Sequence, residues 1–178
     1  MKEEPIARDT GVCVDGLMLG MSEKQARDVV RETLSAPTVK REKLGSEAYE
    51  LLMNSRCSGG CLQLHFSKSK RLIHLKGGFI AVIPGVDMVS SGEKVLDVNA
   101  RIGGPVGFSG SEQEGALWYE FGDLVLGLQY RSLRIVSVEL FYREGAIEDC
   151  RECNCVLHYH KSAKGPSKLE EGSSAESQ

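Results

Sequence analysis

Five of the six cysteines could contribute to a metal site. They fall in two short groups, Cys57 with Cys61 and Cys150 with Cys153 and Cys155. His158 and His160 follow the second group, and thiolate sulfur with imidazole nitrogen is the usual ligand set of tetrahedral zinc. The spacing of Cys57 and Cys61 is not that of a regular zinc knuckle, so free or partly oxidised thiols are the competing interpretation. The sequence indicates no cofactor other than this zinc ion.

Two further histidines, His65 and His74, lie in neighbouring segments with a strand-like pattern. Their distances from the intervening turn place them on the polar face of a hairpin, diagonal to each other. Two diagonal histidines can share a metal ion, but solvated surface imidazoles are much commoner. We therefore expect both side chains to be exposed to solvent.

No pattern in the sequence supports catalysis. It contains no recognisable serine, histidine and aspartate grouping, no paired-carboxylate motif and no phosphate-binding loop. Gly103 and Gly104 follow a helical segment, whereas the glycines of a dinucleotide-binding motif precede one. The chain is therefore not expected to be an enzyme, and no catalytic residue is predicted.

The first half of the chain predicts one helix and three strands. Ser22 and Gln25 have the capping-box spacing, in which each side chain satisfies a free backbone N–H of the other residue. Apolar residues then recur at helical intervals as far as Pro37. Strand-like segments follow at residues 48–52, 61–66 and 71–75. Residues 67–70 join the last two segments as a hairpin.

The same order recurs in the second half, which we interpret as an internal repeat. A helical pattern over residues 93–102 precedes strand-like segments at residues 117–121, 124–130 and 134–142. The predicted fold is α+β, with two tandem helix-plus-three-stranded antiparallel sheet repeats. The predicted parts are an N-terminal extension (residues 1–12), repeats over 13–84 and 85–147, a cysteine- and histidine-rich segment (148–160) and a disordered tail (161–178).

The predicted registers of the second repeat define a face turned away from its helix. A turn over residues 131–133 pairs Leu128 with Val136, and the preceding turn pairs Phe121 with Leu124. The outward face then carries five candidate partner-binding residues, Trp118, Val125, Gln129, Ile135 and Phe141. Exposed apolar groups with aromatic anchors are typical of protein-binding sites. The alternative is that this face packs against the other repeat, because small units need mutual burial.

The start of the first helix carries the strongest motif. Gly16 to Ala26 reads Gly-Leu-x-Leu-Gly-Met-Ser-x-x-x-Ala, and Gly85 to Leu96 is a degenerate second copy. This motif, followed by three strands and repeated in tandem, resembles beta-lactamase inhibitory protein and the BamE-like outer-membrane assembly lipoproteins. The resemblance covers residues 13–143. It implies helix-plus-sheet modules that present a broad sheet face to a protein partner, without catalytic residues.

Charge and hydropathy exclude two classes of partner. The formal net charge is −3 at pH 7, from 22 basic and 25 acidic residues, so nucleic acid is not expected to bind. Residues 1–10 contain no apolar run typical of a signal peptide, and no stretch approaches the about 20 apolar residues that span a membrane. We therefore expect a cytoplasmic protein without a membrane partner.

Together these patterns predict a non-catalytic protein-binding module, inhibitor-like or adaptor-like, that uses an open sheet face. The alternative is a cysteine-dependent zinc-binding or thiol-redox protein, in which the two cysteine groups form one site.

Overall fold

The computed structural model describes residues 11–33, 38–44, 48–54, 61–67 and 69–143, with residues 38–44, 48–54, 61 and 87 described by their backbone. The strands in this part of the chain are β1 (Cys13–Val14), β2 (Thr38–Leu44), β3 (Ala48–Asn54), β4 (Cys61–Phe66), β5 (Leu72–Gly78), β6 (Ile80–Ile83), β7 (Val86–Ser90), β8 (Gly107–Gly110), β9 (Glu114–Phe121), β10 (Leu124–Arg131) and β11 (Arg134–Tyr142). The helices are α1 (Glu23–Thr33) and α2 (Val95–Ile102).

Eight strands form one antiparallel sheet, the large sheet, in the order β2-β3-β4-β5-β11-β10-β9-β8. The strands from β2 to β5 make one meander and those from β8 to β11 make another. β5 and β11 pair at the joint between the two meanders, so the edge that each would otherwise expose is satisfied within the chain. β1, β6 and β7 form a separate three-stranded sheet, the small sheet.

The predicted fold class was therefore wrong. The described chain is mostly β, and its strands do not divide into two helix-plus-three-stranded units, because strands from both halves share the large sheet. Two strands that the prediction missed, β2 and β8, are the edges of that sheet. β2 is rich in lysine, arginine and glutamate, which suits an unpaired edge but conceals the apolar alternation of a strand.

The predicted start of α1 is confirmed in detail. The backbone N–H of Ser22 donates to Oε1 of Gln25 at 2.9 Å, and the N–H of Gln25 donates to Oγ of Ser22 at 3.2 Å. These two bonds satisfy N–H groups that have no partner inside the helix. The buried residues of α1 are Ala26 and Val30, which lie one helical turn apart. The helix therefore packs against the core with the face that carries these two residues.

The main core lies on one face of the large sheet, which we call the inner face. Strand residues such as Leu64, Leu75 and Leu126 contribute to it, together with Val30 of α1 and Val98 of α2. The small sheet contributes buried residues of its own, including Val14, Ala81 and Val89. Both helices and one face of the small sheet therefore pack with the inner face. The opposite face of the large sheet is the outer face.

The predicted registers were partly correct. Phe121 pairs with Leu124 as expected, but Leu128 pairs with Val138, two residues beyond the predicted partner. The turn before β11 contains two residues, Ser132 and Leu133, both with positive φ, and a bulge follows at Gln129/Tyr130.

The two-residue turn shifts the register by one residue as far as the bulge, and this shift changes which face two neighbouring residues occupy. Ile135 was predicted on the outward face, but it is buried in the main core, whereas Val136 was predicted inside and is 44% exposed. A shift of one residue moves a side chain to the other face of a strand, which accounts for the exchange.

Several predicted segments lie outside the described residues. These include most of the N-terminal extension, the cysteine- and histidine-rich segment at 148–160 and the tail at 161–178. The predicted boundary between residues 84 and 85 falls in the turn between β6 and β7.

Candidate functional site

A row of aromatic rings crosses the outer face of the large sheet from β4 to β9. The ring centroids of His65 and His74 are 4.7 Å apart, those of His74 and Phe141 are 5.6 Å apart, and those of Phe141 and Trp118 are 5.9 Å apart. The last two contacts are edge-to-face, the geometry that aromatic quadrupoles favour. We call these four residues the outer row. It links both meanders through the joint between β5 and β11.

The two histidines are not diagonal, as predicted, but directly opposite each other in register. Phe66 pairs with Leu72, one residue beyond the partner that a turn over residues 67–70 predicts, and a bulge between His65 and Phe66 adds a second residue on the β5 side. Together these two shifts bring His74 level with His65. Both side chains were predicted to be exposed to solvent. This prediction is wrong for His74, which is buried, whereas His65 is half-buried.

His74 also bonds across the joint to a buried carboxylate. Its Nε2 lies 2.6 Å from Oε1 of Glu139, and neither side chain is more than 5% exposed. Within the part of the chain that the structure describes, Nδ1 of His74 and Oε2 of Glu139 have no hydrogen-bond partner. Buried polar groups are costly unless they are paired. The His74–Glu139 contact is therefore a buried polar link between the two meanders.

The surroundings of His65 keep its ring neutral. Burial, followed by electrostatic repulsion from His74 and Lys76, lowers the pKa of His65 from 6.5 to about 3. A histidine with so low a pKa is a weak base at neutral pH, whereas efficient general bases have a pKa near the working pH. His65 is thus better suited to packing than to proton transfer at pH 7.

The indole of Trp118 lies against the backbone of Gly127, its register partner on β10. A methyl group at position 127 would overlap the ring, with Cε3 of Trp118 only 2.8 Å away. Ala116, Val125 and Phe141 complete a small apolar cluster around Trp118, separate from the main core.

Substituting Gly127 with alanine should therefore displace the indole and lower the free energy of unfolding by about 1–3 kcal/mol, the usual cost of overpacking. Urea denaturation followed by the fluorescence of Trp118, the one tryptophan of the sequence, measures both effects. Alanine at Gly104, where an added Cβ meets no atom within 4 Å, is the matched control and should leave the emission spectrum unchanged. An unchanged spectrum and stability for the Gly127 variant would contradict the contact.

The predicted partner-binding residues are mostly less accessible than an open docking face requires. Trp118 is 7% exposed, and Val125 and Phe141 are also buried on the outer face. Gln129 is half-buried and accepts a hydrogen bond from Oγ of Ser137 at 3.0 Å. Ile135 lies in the main core. Their role in partner binding stays a prediction.

An exposed group of apolar side chains, which the sequence interpretation missed, lies on the small sheet. Ile80, Val82 and Met88 are 39%, 44% and 55% exposed, and Ala81 and Val89, which alternate with them, are buried. Cys13 is half-buried and pairs in register with Val82. We call Ile80, Val82 and Met88 the exposed patch. The period-two alternation at residues 80–83 could have revealed this strand, but the sequence interpretation assigned no strand between residues 75 and 84.

Cys13 does not belong to the main core, and its surroundings do not activate it. Desolvation raises the pKa of its thiol above the ordinary value of 9.0, against opposing backbone hydrogen bonds. Since the thiolate is the reactive form, this cysteine is poorly suited to nucleophilic chemistry.

The zinc prediction falls on residues that the structure leaves largely undescribed. Cys57, Cys150, Cys153 and Cys155 lie outside the described residues, and of Cys61 the backbone alone is described. Within residues 11–33, 62–67, 69–86 and 88–143, no three histidine, cysteine, aspartate or glutamate side chains are grouped as a metal site would require. The zinc and thiol hypotheses therefore stay predictions.

Comparisons with protein-family models, with curated proteins and with solved structures found no match to this chain. The resemblance to beta-lactamase inhibitory protein and BamE-like proteins accordingly stays a prediction. Neither α1 nor α2, the helices of the described residues, is long and apolar enough to span a bilayer.

Proposed function

We propose that this chain is a non-catalytic protein-binding module whose partner contacts the exposed patch on the small sheet. The observation that carries the proposal is the exposure of Ile80, Val82 and Met88 on one face of that sheet. Single exposed apolar residues are common, but a group of them on one sheet face is typical of an interaction site.

The side chains of the exposed patch indicate what kind of surface would bind. Ile80 and Val82 are β-branched and rigid on their strand, whereas Met88 is unbranched and adapts to different shapes. The opposite face of β6 and β7 is fixed in the main core through Ala81 and Val89. A rigid support lowers the entropy that is lost on binding, and the patch best suits a partner with an apolar contact surface.

Substituting Val82 with lysine should weaken partner binding by about 30-fold, because the ammonium group would lose its water in an apolar contact. The free energy of unfolding should change by no more than about 0.5 kcal/mol, since the position is exposed. Immobilised wild-type chain would capture partners from native lysate, and calorimetry with the purified partner would measure the affinity.

Val136 provides the matched control, because it is also a strand valine with 44% exposure but lies on β11 of the large sheet. Its lysine variant should bind the partner as the wild type does. Equal loss in both variants, or no loss in either, would mean that the exposed patch is not the binding site. Both variants must keep the wild-type melting temperature for the comparison to apply.

A further inference from the structure

The joint between the two meanders combines a short strand pairing with a buried polar link. β5 and β11 pair from Val138 opposite Gly78 to Phe141 opposite His74, with a bulge between Val138 and Glu139. The His74–Glu139 contact crosses this joint between residues 65 positions apart in sequence. Any change that weakens this contact therefore acts where the two halves of the large sheet meet.

Several charged or titratable residues lie on β3, β5 and β11, close to His65 in the large sheet. His74 and Lys76 lie on β5, and Glu139 of β11 is the register partner of Lys76. On the other side, Glu50 of β3 is the register partner of His65. Protonating His65 would place a positive charge beside His74 and Lys76 in a half-buried position, which both repulsion and desolvation oppose.

We propose that His65, His74 and Glu139 form a proton-sensitive contact at the joint of the large sheet, which loosens the pairing of β4, β5 and β11 in mild acid. The ring contacts of the outer row connect this joint to Phe141 and Trp118. Loosening would therefore also make the apolar cluster around Trp118 more accessible. This response lies in the large sheet and is independent of binding at the exposed patch.

The direction of the effect follows from the proton affinity of His65 in the two states. In the folded chain its pKa is lowered to about 3, and in an opened segment it returns to the ordinary value of 6.5. The stabilisation is therefore complete above about pH 6.5 and declines as the pH falls below it. The population of the open form should rise by about 30-fold between pH 7.5 and 5, and the rise approaches tenfold for each pH unit well below pH 6.5.

Amide hydrogen exchange of the full chain, followed by NMR between pH 7.5 and 5 and corrected for intrinsic exchange rates, tests the proposal. Staying above pH 5 limits the contribution of carboxylates, whose ordinary pKa is about 4. From pH 7.5 to pH 5, the protection of amides in the β4, β5 and β11 ladders should fall about 30-fold. The protection of amides between β9 and β10 should fall less. In His65→Gln, whose amide does not titrate, protection should not depend on pH.

Three results would overturn the proposal. They are a pH-independent protection in the wild type, an equal fall across all ladders, and a fall that persists in His65→Gln. A double variant, His158→Gln with His160→Gln, must retain the fall, because its loss would assign the effect to those histidines.

A measurement on the wild type keeps the test independent of how well the variant folds. The ring signal of His65 should not shift between pH 8 and 5, because its pKa in the folded chain is about 3. A ring signal of His65 that titrates near pH 6.5 would contradict the proposal.

Discussion

Replacing Trp118 with alanine should lower the free energy of unfolding by about 3–5 kcal/mol, the usual cost of truncating a buried aromatic side chain. The indole is 7% exposed, lies against Gly127 and meets the ring of Phe141 edge-to-face at 5.9 Å. Removing it would leave a cavity that Val125 and Phe141 cannot fill without moving. Urea denaturation monitored by circular dichroism measures the loss without depending on the tryptophan signal.

Met88→Ala is the control for this experiment, because it also removes a large apolar side chain but at a position that is 55% exposed. Its free energy of unfolding should stay within about 0.5 kcal/mol of the wild type. The pair of variants also separates two roles for the outer face. A Trp118 variant that keeps its melting temperature and loses a partner would favour the predicted binding role over packing.

Local signals in the sequence were sufficient to predict the start of α1 and one tight turn. Ser22 and Gln25 define the start of α1 because a capping box depends on residues three apart, and both bonds are present. The turn that pairs Phe121 with Leu124 could likewise be predicted, since Gly122 has the positive φ expected at a tight turn.

Registers beyond the tight turns could not be predicted in the same way. Ser132 and Leu133 both have positive φ, although such turns normally contain asparagine or glycine, so their composition does not indicate a two-residue turn. The bulges at Gln129/Tyr130 and at His65/Phe66 likewise have no clear signal in the sequence. For this reason Ile135 was placed on the wrong face and His65 was placed diagonal to His74.

The outer row depends on a contact that alternation within each half cannot reveal. His74 and Glu139 meet because β5 pairs with β11, and this pairing joins residues from opposite halves of the chain. The prediction kept the halves apart, so it could not pair Glu139 with a residue of the first half. Tertiary pairing, rather than local pattern, thus determines which polar residues become buried.

Substituting Glu139 with alanine should lower the free energy of unfolding by about 3 kcal/mol at pH 7, because it leaves Nε2 of His74 buried without its partner. The joint between β5 and β11 should be affected most, since the bond crosses it. Urea denaturation gives the size of the loss, and hydrogen exchange of the β5 and β11 amides shows where it acts.

Glu114→Ala is the matched control, because Glu114 is also a strand glutamate and lies 3.2 Å from Arg131, but both of these side chains are exposed. The free energy of unfolding that it loses should stay below about 1 kcal/mol, as for other surface ion pairs.

A double variant, His74→Leu with Glu139→Leu, removes both polar groups. Its free energy of unfolding should be no more than about 1 kcal/mol below that of the wild type. Comparable losses for Glu139→Ala and Glu114→Ala would mean that burial does not strengthen the His74–Glu139 bond. Recovery in the double leucine variant would instead show that an apolar pair stabilises the joint equally well, so that stability alone does not require the His74–Glu139 bond.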